Sequence, residues 1–210
     1  MLFRSEIPLS GKFKVGPFEI ELITLTHSIP EPNAVVVRTP LGAVLHTGDW
    51  KLDPTPLVGE VSDAPALRKL GTDGVLAMIC DSTNVFVDGA SGSEADVKQS
   101  LMELVGGLKR RVAIGCFASN VARLQTIAEV AVAHDRQVAL IGRSLWRMNE
   151  AARENGYLAD LPDFITEHDI SYFPPDKILM ICTGSQGEAR SALARIARRE
   201  HPNVDRKSVV

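Results

Sequence analysis

The sequence predicts an α/β fold built in two parts, on three observations. Before residue 50, alternating and β-rich runs lie close together with tight turns between them, as in a β meander. From residue 75 the rhythm changes to short, almost wholly apolar runs separated by segments of helical period. The composition, 45% hydrophobic and 23% charged over 210 residues, is that of a globular chain able to bury a core.

"FEIELITL" (18–25) alternates as a half-buried strand does, and Gly16-Pro17 precedes it. His27 follows, then the proline-containing loop "SIPEPN". "AVVVRT" and "AVLHT" are two further strands, joined through Pro40 and Gly42 in a turn. The later runs "VLAMIC", "RVAIGC", "QVALIG" and "ILMIC" read as strands covered on both faces. Four helices are expected beside them. The first has a capping box at Ser93 and Asp96 and an apolar stripe at Val97, Leu101, Leu104 and Leu108. The second is capped by Ser119, the third runs from Ser144 to Gly156, and the fourth covers 188–200. Strand–helix alternation of this kind implies a parallel, right-handed layer.

Bulk properties narrow the function. A net charge of -3 offers no global field for nucleic acid, so any such binding needs a local patch. Cys80, Cys116 and Cys182 form no CxxC and sit in apolar runs, as reduced core thiols of a cytoplasmic protein do. No apolar run approaches membrane-spanning length, and the first residues lack a signal-peptide pattern. Leu2-Phe3-Arg4-Ser5 and Asp205–Val210 resemble translations of a DNA-sequencing adapter read from its two sides. The expectation is an open reading frame on a short fragment cut at both ends.

The four apolar runs lead into "DSTN" (81–84), "FASN" (117–120), "GRS" (142–144) and "TGSQGE" (183–188). In one parallel sheet these exits share an edge, where hydroxyls, glycines and helix N-termini suit a phosphate, although Ser and Asn are also simply good caps. Neither GxGxxG nor GxxxxGK[ST] occurs. His27 and Asp49 end what read as neighbouring strands. An imidazole and a carboxylate meeting at a sheet edge suit zinc, and a carboxylate can bridge two metals and so serve a metal-bound hydroxide. Asp49 could equally bond its own turn. His46 reads as a satisfied core histidine, and His134 and His201 as helix C-terminal cations. His168 receives no role. Lys109-Arg110-Arg111 and Arg195-Arg198-Arg199 read as solvated helix ends.

"THSIPEPN", "TPLGAVLHTGDWKLDPTP", "CDSTN", "FASNVAR", "GRS" and "TGSQGEARSALARIA" together resemble ribonuclease J, of the β-CASP branch of the metallo-β-lactamase-fold nucleases. The resemblance runs in order from about residue 12 to residue 204. It implies a partial metallo-β-lactamase αββα sandwich over 6–93 and a β-CASP parallel-sheet α/β domain over 94–204. It also implies that His27 ligates one zinc, that Asp49 bridges two, and that Asp81 opens the acidic β-CASP motif and supports a metal-ligating histidine. Ser82, Thr83, Ser119, Asn120, Arg143 and Ser185 become expected contacts near an RNA path, with helix capping as the rival role. The implied activity is zinc-dependent endonucleolytic and 5′-to-3′ exonucleolytic cleavage of RNA in maturation and decay, by a cytoplasmic homo-oligomer.

The family's HxHxDH motif is absent from these residues, as are its later histidines, so the fragment is expected to bind zinc weakly and to leave RNA uncut. Glu31-Pro32 after "HSIP" is a smaller departure, which stiffens the loop. Two alternatives stand beside this reading. One is a related metallo-β-lactamase-fold hydrolase with another substrate, and the other a non-catalytic α/β module that binds nucleotides or phosphates.

Overall fold

The structure is a computed structural model that describes residues 5–204. The adapter-like ends, Ser5 excepted, lie outside the described residues. The chain divides into two compact units between Ser93 and Glu94.

In the first unit, strands β1 (Lys12–Val15), β2 (Phe18–Thr24), β3 (Asn33–Thr39), β4 (Gly42–His46) and β5 (Ala77–Ile79) form one sheet in that order. β1 to β4 are antiparallel and β5 joins β4 in parallel. β1 was not expected from the apolar pattern. Its signal is charge: Lys12 and Lys14 face Glu21 and Glu19 across the hairpin, with ion pairs of 2.8 and 2.9 Å. Helix α1 (Ala64–Asp73) was also unforeseen, although its ends are well marked. Asp63 accepts from the amide of Ala66 at 2.9 Å, a proline lies in its first turn, and Gly74 ends it at φ +85°. Leu67 and Leu70 of α1 pack on Ile23, Val36 and Leu45, which alternate onto one face of the sheet.

Two expectations fail here. "VLAMIC" does not join the later parallel layer. Its central residues form β5, an edge strand of the first sheet, with Met78 and Ile79 more than half exposed. And β2 and β4 are not neighbours, because β3 lies between them.

The second unit contains α2 (Glu94–Gly106), β6 (Val112–Gly115), α3 (Val121–Ala133), β7 (Gln137–Ile141), α4 (Arg143–Glu154), β8 (Ile178–Cys182) and α5 (Ala192–Ala197). Its sheet is wholly parallel, in the order β6-β8-β7. All five residues of the central β8 are fully buried, and they alternate between two cores. Leu179 and Ile181 meet Val105, Leu124, Ile127 and Leu145 from α2, α3 and α4. Ile178, Met180 and Cys182 meet Ile170, Ala192, Ile196 and Val204 on the opposite side. Burying each large side chain contributes roughly 1.5–3 kcal/mol.

The helix readings need four adjustments. The stripe of α2 buries Val105, with Leu101, Met102 and Leu108 packed beside it, while Leu104 is exposed. Ser119 does not cap α3; Asn120 does, its side-chain oxygen accepting from the amide of Arg123 at 2.8 Å. α4 begins one residue early, at Arg143, with no side-chain cap. α5 is a six-residue helix capped by Ser191, so residues 188–190 belong to the loop before it. No described helix is long and apolar enough to cross a membrane.

Candidate metal centre

β2 and β4 both run antiparallel to β3, so they share a direction, and β5 is parallel to β4. The three strands therefore finish at the same edge of the sheet. His27 lies three residues beyond β2, Asp49 three beyond β4, and Asp81 two beyond β5.

Hydrogen bonds draw these exits together. The amide of Lys51 donates to the carbonyl of Thr26 at 2.9 Å, placing the residues after Asp49 against the residue before His27. The Thr47 amide donates to Ile79 at 3.0 Å. The Asp81 amide donates to the Thr47 hydroxyl at 3.2 Å, and the Trp50 indole donates to the Asp81 carbonyl at 3.3 Å. Asp81 is thus held at its backbone by residues on both sides of Asp49. Gly48 makes the turn, at φ +61°, and its amide donates to Nδ1 of His46 at 3.0 Å. His46 is exposed and serves this turn instead of filling the core, because alternation along β4 sends Ala43 and Leu45 inward and His46 to the opposite face.

The side chains differ in what occupies them. The carboxylate of Asp81 accepts from the amide of Thr83 at 3.0 Å and from its hydroxyl, closing an Asx-turn. These bonds from Thr83, with the nearby charge of His27 assisting, hold the Asp81 carboxyl below the usual carboxylate range. The hydroxyl of Thr83 is committed to that turn. Asp49 is exposed, and its carboxylate has no hydrogen bond or ion pair among the described residues. So the turn does not use it. His27 Nδ1 lies 3.2 Å from the Ser28 hydroxyl, and if Nδ1–H donates there, Nε2 is left as a free lone pair.

Imidazole plus carboxylate is the right kind of donor set for zinc, but it is short in number, since zinc sites take three or more protein ligands. Among the described residues, no group of three or more His, Cys, Asp or Glu side chains is arranged to hold a metal.

The other expected contacts lie elsewhere. Ser82 sits exposed beside Asp81 in the first unit. In the second unit Ser119 lines a hollow of about 480 Å³ at the carboxyl ends of the strands, with Ser144, Arg147 and Thr183. Asn120 is occupied as the α3 cap. Ser185 passes over Gly115, 3.6 Å from where a Cβ there would stand. Arg143 lines an adjoining hollow with Arg147, Arg190 and Arg195. Sequence reasoning missed Arg147 and Arg190, and it treated Arg195 as a solvated helix end. Their signal is spatial, because α4, α5 and the loop before α5 supply them.

Residues 109–208 match the family model described as "Ribonuclease J, beta-CASP domain". Over 206 residues the chain is 46% identical to "Ribonuclease J" of Sinorhizobium meliloti, covering 96% of this chain and 36% of the relative. It is 48% identical over 190 residues to that of Corynebacterium glutamicum (90% and 26%), and 38% identical over 200 residues to that of Thermus thermophilus (95% and 35%). The chain is thus similar to ribonuclease J over most of its length, and the family's β-CASP domain is matched within it. It spans roughly a quarter to a third of the length of these relatives. A crystal structure of a protein of unknown function from Enterococcus faecalis shares the fold at a TM-score of 0.57 and 17% identity, over 85% of this chain and 45% of that one. The match at 109–208 puts a ribonuclease J β-CASP domain within the second, parallel-sheet unit.

Proposed function

We propose that this segment belongs to a zinc-dependent ribonuclease that hydrolyses RNA phosphodiesters by endonucleolytic and 5′-to-3′ exonucleolytic cleavage. The first unit, 6–93, is then part of a metallo-β-lactamase domain. The observation that carries the reading is identity of 38–48% to proteins named ribonuclease J across nine-tenths or more of the chain. The unpaired carboxylate of Asp49 at a shared strand-end edge supports it. In this reading Asp49 and His27 would help to hold zinc, Asp49 as the carboxylate shared between two ions, and Asp81 would orient a neighbouring ligand through its fixed carboxylate. Bound metal would supply a hydroxide at neutral pH. The remaining ligands come from sequence that the relatives have in addition to this segment. The working enzyme is a cytoplasmic homo-oligomer.

The 210-residue chain alone is expected to bind zinc weakly and to leave RNA intact. In a polypeptide that adds the rest of the relatives' length, Asp49→Asn is expected to lower cleavage by about 10³-fold or more, since it removes the bridge between the metals. Cleavage assays with labelled RNA and a zinc titration test both halves. Undiminished cleavage by Asp49→Asn, or clear metal-dependent cleavage by the 210-residue chain, would overturn the assignment of the site.

A further inference from the structure

The second unit holds a cleft of about 990 Å³ at the carboxyl ends of β7 and β8, between the start of α4, the 166–168 loop and the loop leading into α5. Four guanidinium groups line it, from Arg143, Arg147, Arg190 and Arg195. Glu167 is the one carboxylate among the lining residues, and it is already engaged by Asn203 Nδ2 at 3.0 Å and faced by His201 Nε2 at 3.6 Å.

Among the described residues, no carboxylate neutralises these four arginines, although they share one concave space. Several other arginines of the same unit are occupied. Arg123 forks onto Glu94 with two bonds of 3.0 Å, Arg136 donates to the carbonyls of Leu108, Arg110 and Ile178, and Arg198 pairs with Glu200. In the cleft, by contrast, the side chains of Arg143, Arg147 and Arg190 have no hydrogen bond or ion pair among the described residues. Arg195 reaches only the carbonyl of Glu200, at 3.4 Å. Four like charges in one concave space raise the local potential and focus it on an anion. Burial chiefly holds His201, on the cleft wall, below the usual histidine range; the Glu167 carboxylate opposes that shift and the charge of Arg195 adds to it.

We propose that this cleft binds a di- or triphosphate group, as carried by a nucleoside diphosphate. Guanidinium forks match phosphate oxygens in pairs, and four of them against one occupied carboxylate suit a ligand of three or four negative charges better than a single phosphodiester. The volume suits a nucleotide. Trp146 lines the same cleft, its ring pinned by a 3.2 Å bond from the indole N–H to the Leu140 carbonyl, and it offers a face for the base. The site is built wholly from second-unit residues, uses neither His27 nor Asp49 and requires no metal, so it is tested independently of the nuclease reading.

Isothermal titration of the 210-residue chain in EDTA tests it, with inorganic pyrophosphate, ADP and adenosine as probes. Pyrophosphate and ADP are expected to bind, adenosine at least about tenfold more weakly than ADP, and higher salt to weaken the charged ligands. The double variant Arg190→Ala/Arg195→Ala, whose side chains are exposed, should keep its circular dichroism and lose about tenfold or more in ADP affinity. Lys69→Ala in the first unit should change nothing. Two RNAs of one sequence, with a 5′-triphosphate and with a 5′-hydroxyl, identify the source of the group. Preferential binding of the first assigns the cleft to an RNA end, and equal binding of the two beside tight ADP assigns it to a free nucleotide. Adenosine binding as tightly as ADP, an unaltered double variant, or no binding of pyrophosphate and ADP at millimolar concentration would overturn the proposal.

Discussion

"VLAMIC" at 75–80 and "ILMIC" at 178–182 are nearly the same word, yet the fold treats them as opposites. The second is β8, the central strand of its sheet, with all five residues at 0% exposure. The first yields β5, a three-residue edge strand whose flanking Leu76 is 65% exposed and whose Met78 is 59% exposed. Apolar content states what a strand can bury. Whether it does so depends on what lies above and below, and those residues come from distant positions in the chain.

The cysteines at the ends of these two strands, with Cys116 just after β6, give the widest contrast. Burial pushes the Cys182 thiol up to about 12 and the Cys116 thiol up to about 11, whereas Cys80 is only half buried. Iodoacetamide at pH 8 should therefore label Cys80 in the folded protein, and should reach Cys182 and Cys116 only on unfolding, as peptide mass spectrometry would show. Equal labelling of all three would erase the contrast.

Truncation comes next. Ile181→Ala is expected to cost about 3 kcal/mol and Met78→Ala less than about 0.5 kcal/mol, read from urea midpoints. A large loss at Met78 would mean that β5 is covered in solution. The ion pairs sharpen the same difference. Arg123→Ala strips a two-bond partner from the buried Glu94 and should cost about 2 kcal/mol, against less than about 0.5 kcal/mol for Lys14→Ala on the open hairpin. At the α3 terminus, Asn120→Ala should cost about 1 kcal/mol and Ser119→Ala almost nothing.

The smallest effect concerns acid. Lys12, and after it Arg38, hold the Glu21 carboxyl below its usual range. Because the folded value is depressed, the stabilisation is complete above the unfolded carboxylate pKa of about 4.3 and is lost as pH falls through the folded value. Glu21→Gln should thus lower the urea midpoint slightly at pH 7 and not at pH 2.

Much of the fold was legible because its signals are local. The strands from Phe18 to His46 carry their alternation in the sequence, and Gly156, at φ +83°, stands beyond α4 where the pattern asked for a left-handed residue. α1 carried legible signals in Asp63, a proline and Gly74, but its short apolar stripe of Leu67 and Leu70 was too sparse to register as a helical period. β1 was missed because its message is in charge pairs and not in hydrophobicity.

Of the candidate site, the positions of His27, Asp49 and Asp81 at strand exits could be read directly. An edge shared by His27 and Asp49 was expected, but that Asp81 joins them there was not legible, because it follows from β5 docking in parallel on β4. The arginine cleft was illegible altogether. Arg143, Arg147, Arg190 and Arg195 span some fifty residues and meet only where α4 and the loop before α5 converge.

By itself, then, the sequence determined which apolar segments are strands, where the periodic helices lie and which polar residues stand at the exits, since backbone sterics, turn chemistry and periodicity act over a few residues. Only the tertiary structure decided which apolar strand is covered, which exits share an edge and which charges are left without partners. Burial and electrostatics are summed over neighbours in space, and the fold chooses those neighbours.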